Sequence, residues 1–240
     1  MKFKAIAVMA TATALSLGMA GSALASPLSS KPKPAPQVTG TRLQSALLPA
    51  SAFGGGFTVA DHKNTGTKLL STKALIKPSS LSCGTFATLI FIGGFGNTAG
   101  AVDGVNNPNP NFADYPNIVV AGDQAVLQFK TTKAAASFYN QAYAKYKQCA
   151  AFTDTEVGLQ LELTTSSLST TTINKNKAFQ LIQYADIAAL PIANEYQSTA
   201  FVLSGTNVYT IDDVSGTNDP ISASLLGTFI KRVQALYKHH

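Results

Sequence analysis

Cys83 and Cys149 are the only cysteines among 240 residues, so a disulfide within the chain can join no other pair. In an oxidising compartment an isolated pair of this kind forms such a bridge. It would close a loop of about 65 residues, a constraint that chain entropy values at about 4 kcal/mol before native strain. Any fold must then bring segments from both halves of the chain within about 6 Å at their Cα atoms. A redox-active pair is the competing assignment. Against it, the cysteines form no C-x-x-C motif, and Lys147 is the one basic residue within two positions before either.

The N-terminus predicts the compartment. Lys2 and Lys4 precede an uncharged stretch from Ala5 to Ala20, and the small-residue triplet Ala23-Leu24-Ala25 follows. That is the layout of a secretory signal peptide over residues 1–25, with cleavage expected between Ala25 and Ser26. The apolar stretch is shorter than the roughly 20 residues of a membrane-spanning helix, and no later uncharged run approaches that length. A secreted, extracellular chain is expected, with no stable membrane insertion after signal removal.

Residues 26–40, with SKPKPAPQ at their centre, are Pro-rich and polar, the composition of an extended, disordered tether. The full chain carries a net charge of +6, and loss of Lys2 and Lys4 leaves +4 without any run of Lys or Arg. Such a balance suits anionic surfaces, but ordinary solubility explains it as well. Nucleic acid as a partner would call for basic clusters interleaved with aromatics, and none is present. Residues 41–240 suffice for one domain with a sizeable core.

Within that domain, Thr41 to Leu48 predicts a short helix ended by Pro49, and Phe57 to Asp61 a strand before the polar loop Lys63 to Lys68. Cys83 to Ile92 follows N-cap hydroxyls and reads as a buried helix, although its β-branched content keeps a strand possible. Ala101 to Pro116 contains NNPNPN and is expected to be irregular. Ile118 to Lys130 alternates, with Ala125, Leu127 and Phe129 on one face and Gln124, Val126, Gln128 and Lys130 on the other. A helix capped by Thr131 or Thr132 runs to about Ala151, its stripe formed by Ala135, Tyr139, Tyr143, Tyr146 and Ala150, with Cys149 turned toward the core. Thr155 to Thr165 and Lys177 to Ala185 predict two further strands. Ser198 to Leu203 and Asn207 to Asp212 predict a hairpin, and Asp219 with Pro220 opens a last helix whose stripe is Leu225, Phe229, Val233 and Leu236. Strands in succession between helices indicate an α+β domain with a mainly antiparallel sheet flanked by helices.

No residue set in this pattern carries recognisable chemistry. LIFIGGFGNTAG, Leu89 to Gly100, holds Gly94-x-Gly96-x-x-Ala99, one form of the dinucleotide fingerprint, with Asp114 placed as a ribose contact would be. The fingerprint needs a helix at the glycines, yet AVDGVNNPNPN follows, so the reading is a sharp turn at Gly93 and Gly94 into a short strand from Phe95 to Val102. No cofactor is expected. Of the three histidines, His239 and His240 end the chain, which leaves His62 as a candidate base; a lone exposed His is more often only that. Asp212 with Asp213 would face opposite sides of a strand, and Asp154 with Glu156 reads as surface charge. No catalytic set and no metal-ligand spacing are present. The tyrosine stripe could bind a ligand, but packing against a sheet is its commoner use.

Taken together, LLPASAF, a Cys-bearing segment, the strand QAVLQFK, the helix TKAAASFYNQAYAKYKQC and a late hairpin resemble the PknH-like extracellular sensor-domain family of actinobacteria. The resemblance spans most of residues 43 to 238. It implies an antiparallel sheet flanked by helices with a large cleft for an extracellular ligand, and it matches Cys149 to a helix-terminal cysteine with Cys83 as its partner. Tyr146 stands where members often have Trp, and the second disulfide of many members is missing. The implied role is a stand-alone secreted binding or sensor-like domain, without catalytic activity, for an unknown small molecule, lipid or envelope glycan. A secreted hydrolase built around His62 and a cell-wall-associated structural protein are the alternatives.

Overall fold

Alternating apolar and β-branched segments dominate the chain after residue 57, and they assemble into one eight-stranded antiparallel sheet. The computed structural model describes residues 36–66, 76–91, 94–108, 119–154, 161–187 and 195–238. Expectations for residues 1–35, Thr67 and Lys68, Ile92 and Gly93, Asp114, 155–160, His239 and His240 lie outside them.

The strands are β1 (Thr58–Asn64), β2 (Ala99–Asn106), β3 (Val119–Gln128), β4 (Ala151–Asp154), β5 (Leu161–Ile173), β6 (Asn176–Ile187), β7 (Glu195–Ser204) and β8 (Asn207–Ser215), in the order β1-β2-β3-β8-β7-β6-β5-β4. The helices are α1 (Gly40–Gln44), α2 (Cys83–Leu89), α3 (Thr132–Gln148) and α4 (Ala223–Ala235). Helices pack on both faces of the sheet. On one, α2 and α3 bury Phe86, Phe138, Tyr139 and Tyr146 against Leu127, Phe179 and Phe201. On the other, α1 and α4 bury Leu43, Phe229 and Val233 against Val126, Tyr209 and Ile211. This is a single α+β domain with an antiparallel sheet between helices.

Several boundaries differ from the sequence reading, each for a local reason. Residues 36–40 belong to the domain: Val38 is 2% exposed, and Thr39 caps α1 by accepting from Arg42 N. Lys63 and Asn64 continue β1, because the strand pairs with β2 as far as Asn64↔Ala101. Ala101 to Asn106 are not irregular but complete β2, which is flanked on both sides by ladder partners in β1 and β3. The last helix starts at Ser222, whose hydroxyl accepts from Leu225 N, rather than at Asp219 and Pro220. Ala150 lies beyond α3 and is exposed, while Phe138 and Ala142, next to the stripe, share its buried face with Ala135, Tyr139 and Tyr146.

The two glutamines of β3 explain how the N-terminal segment is held. Gln128 Oε1 accepts from Val38 N at 2.8 Å while its Nε2 donates to Val38 O at 2.9 Å. Gln124 repeats the pattern with Leu48, at 2.7 Å in both directions. Each side-chain amide thus acts as a one-residue strand partner for a segment outside the sheet's ladders, satisfying buried main-chain groups that would otherwise cost about 1–3 kcal/mol each.

Candidate functional site

Strand register sets Asp61, Gly104, Asp123 and Asp212 in one row across β1, β2, β3 and β8. Directly opposed residues share a face, and this is the face on which Leu127 of β3 and Val208 of β8 lie in the α3 core farther along the same strands. The row lies at the other end of the strands, so that face is apolar at one end and acidic at the other. Gly104 makes the row possible: a Cβ there would lie 3.0 Å from Asp123 Oδ1 and 3.6 Å from Asp61 Cβ.

Electrostatics separates the three acids. Asp61 is exposed and pairs with Lys63, and that hydrogen bond, with a second from His62 N, holds its carboxyl below the usual range. Asp123 is pushed up to about 6 by burial first and by the charge of Asp61 second, with Lys63 opposing. Asp212 accepts from Asp123 N and from Gln197 Nε2, each at 2.7 Å. Two residues before Gln197, and therefore on its face, Glu195 is 2% exposed, and neither carboxylate oxygen has a hydrogen-bond partner among the described residues. Burial raises its carboxyl. A buried carboxylate in that condition takes a proton or requires a donor from outside. This end of the sheet face is therefore a polar stripe in which Glu195, four residues along β7 from Thr199 opposite Asp212, is buried with unmet acceptor capacity, suited to groups that donate hydrogen bonds or carry positive charge.

On the opposite face, His62 Nδ1 meets Asp103 Oδ1 at 2.8 Å, and Gln44 Nε2 donates to the same oxygen. Asp103 is buried and raised by that burial, against the pull of His62 and Gln44. The pair could orient a base, but no hydroxyl or thiol is hydrogen-bonded to His62 among the described residues. Asp213 faces the α1 and α4 side with Asp219, on a cavity of about 210 Å³ that Phe53, Ser215 and Ser222 also line. Burial and the Asp219 charge push Asp213 up to about 7.

The other candidate residues separate cleanly. Cys83 and Cys149 are joined, with Cα atoms 5.8 Å apart, tying the start of α2 to the end of α3. Gly94 and Gly96 have φ of 96° and 82°, and Ala99 opens a strand rather than a helix, so no helix N-terminus exists there to receive a pyrophosphate. Tyr139, Tyr143 and Tyr146 pack around Phe179, the ring centroids of the first two 5.2 and 5.4 Å away. Asp212 and Asp213 face opposite sides of β8. Asp154 ends β4, while Glu156, Ala25 and Ser26 lie outside the described residues. Among the described residues no group of three or more His, Cys, Asp and Glu is placed to hold a metal ion, and no helix is long and apolar enough to cross a membrane. Sequence reasoning missed Asp123, Gln197 and Glu195. The available signal was Asp123 as the one charged residue of the strand VVAGDQAVLQ.

No family model and no curated protein matches the chain. Among solved structures it is similar to the extracellular domain of PknH from Mycobacterium tuberculosis, with a TM-score of 0.57, 16% identity, and coverage of 82% of this chain and 97% of that one. At that identity the likeness is one of fold.

Proposed function

We propose that this protein is a secreted, non-catalytic ligand-binding domain of the sensor-like kind, released by cleavage between Ala25 and Ser26 and carried on the Pro-rich segment that follows. The observation that carries this reading is the polar stripe, above all the buried Glu195 carboxylate that no described residue satisfies. The fold shared with the extracellular domain of PknH supports it, as does the earlier resemblance to the PknH-like family. A ligand that donates hydrogen bonds to Glu195 or to Asp123 would meet a stripe whose row of acids is shaped by Gly104. Small molecules, lipid headgroups and envelope glycans bearing amine or amide groups fit that chemistry.

The test is a thermal-shift and calorimetric screen of the purified secreted chain against soluble cell-wall fragments, short-chain envelope lipids and glycans. Saturable binding that weakens at least tenfold in the Asp123→Asn, Glu195→Gln double variant is the expected result. Failure of every class to bind would sink the reading. A second reading, hydrolysis assisted by His62, draws on the His62–Asp103 pair. Turnover of ester, peptide or glycoside substrates that disappears in His62→Ala would favour it. Retention on purified cell wall that salt abolishes would instead favour a structural wall protein.

A further inference from the structure

The two outer edges of the sheet are finished differently. At one side β1 carries charged residues and a register shift; at the other, β4 covers β5 only from Leu161 to Thr164. Thr165 N still donates to Ala150 O at 2.8 Å. From Ser166 to Ile173 the outer edge of β5 has no strand beside it among the described residues. That run reads SSLSTTTI and holds neither a charged residue nor a proline. Ser169, Thr170, Thr171 and Thr172 are exposed. Successive residues point to opposite faces, so the edge is open on both sides of the sheet.

The turn that ends β5 fixes which groups point outward. Asn174 and Lys175, with φ of 48° and 66°, form a two-residue turn closed by the pair Ile173↔Asn176. A turn of this type closes on a hydrogen-bonded pair. Along an antiparallel ladder such pairs alternate with pairs whose main-chain groups point away from the partner strand. Counting back from Ile173, Thr172, Thr170 and Leu168 turn their N–H and C=O groups away from β6 and toward the open edge.

Sheets blunt an outer edge with charge, proline, a bulge or a covering segment. This part of β5 keeps its hydrogen-bonding capacity instead, so its complement is another strand. A second copy of the same run is the matched one. Set antiparallel with Thr170 opposite itself, Leu168 meets Thr172 of the second copy and Ser169 meets Thr171. Hydroxyl side chains then lie side by side and no like charges are opposed. β4 bounds the run at one end and the Asn174 turn bounds it at the other, so both copies offer the same length of free edge. The outward groups of Leu168, Thr170 and Thr172 would exchange about six main-chain hydrogen bonds with their counterparts. We infer that the chain forms a twofold dimer through its β5 edges, paired antiparallel about Thr170, which joins the two sheets into one. Each copy spends the same edge, so the assembly closes at two. The row from Asp61 to Asp212 lies on β1, β2, β3 and β8, so ligand binding and dimerisation can fail separately.

The test is sedimentation velocity of the purified secreted chain over a hundredfold range of concentration. A monomer–dimer equilibrium with no larger species is expected, and the melting temperature should rise with concentration. Thr170→Lys opposes like charges at the twofold axis and should weaken the dimer at least tenfold. Thr170 is exposed, so the melting temperature of the dilute variant should match that of the dilute wild type, which separates lost pairing from lost fold. Val59→Lys, on the exposed β1 edge, should leave the dimer intact. Under mild oxidation Thr170→Cys should give a covalent dimer, because Cα atoms of directly opposed, hydrogen-bonded residues lie about 5.5 Å apart. Val59→Cys should not. A chain that stays monomeric throughout, a dimer that tolerates Thr170→Lys, dispersal by Val59→Lys, or growth beyond two copies would each overturn the inference.

Discussion

Single residues here do work that their types alone do not announce. Gln128 is fully buried, and its amide serves Val38 and Tyr237 at once. Gln128→Leu should leave the Val38 N–H and C=O unsatisfied and lower stability by about 2–3 kcal/mol, measured by denaturant unfolding. Asp213 offers a pH prediction. Its folded pKa is raised from 3.8 to about 7, so the native state binds the proton more tightly than the unfolded chain. Stability linked to Asp213 is complete below about pH 4 and lost as pH rises through 7. Asp213→Asn should therefore raise the melting temperature at pH 8 and flatten its dependence between pH 5 and 8. Strand alternation made the two faces of β3 legible, but not that Gln124 and Gln128 would be covered. Val126 between them was the hint of a face that is neither core nor solvent alone. Glu195 could not be read, since nothing in its own neighbours in sequence fixes its burial.

Among the elements, α3 and the β7–β8 hairpin were the most legible, because a 17-residue amphipathic helix and a Ser-Gly-Thr turn are local patterns. The continuation of β2 through Asn106 was hidden by AVDGVN, a segment of low strand propensity that becomes a strand because β1 and β3 pair with both its edges. The Ser/Thr run of β5 was missed for a different reason: it has no apolar alternation, and β6 alone pairs it to Ile173↔Asn176 beyond the reach of β4. Capping gives a sharp test at the start of α4. Ser222→Ala should cost about 1 kcal/mol, whereas Asp219→Ala, which removes no cap and relieves Asp213, should not destabilise. Urea titrations of the two variants side by side would decide it. The outer strand β1 is exposed along its length, yet it carries a register shift between Val59 and Asp61, and Asp61 itself caps the main-chain N–H of His62. Charge and irregularity of this kind discourage a further strand from adding to the edge.

The whole molecule depends on connections between parts distant in sequence. The bridge from Cys83 to Cys149 fastens the seven-residue α2 to the C-terminal end of α3, where Phe86 meets Tyr146 with ring centroids 5.2 Å apart. Replacing both cysteines by serine should lower unfolding free energy by about 2–4 kcal/mol. A reducing agent should produce the same change in the wild type and none in the variant. The cysteine count made that constraint readable at the outset, while the division of the sheet face into an apolar and an acidic end required the register of four strands. The glutamine clamps carry a mechanical consequence. A pull on the Pro-rich leader reaches the domain first at Gln37 and Val38, whose contacts to Phe129, Thr98 and Gln128 take the load, and later, beyond α1, at Leu48. Force on the leader should therefore release this root in two small steps before any strand is sheared. In single-molecule extension, Gln128→Leu should weaken the first of them, leaving the Gln37 contacts to Phe129 and Thr98.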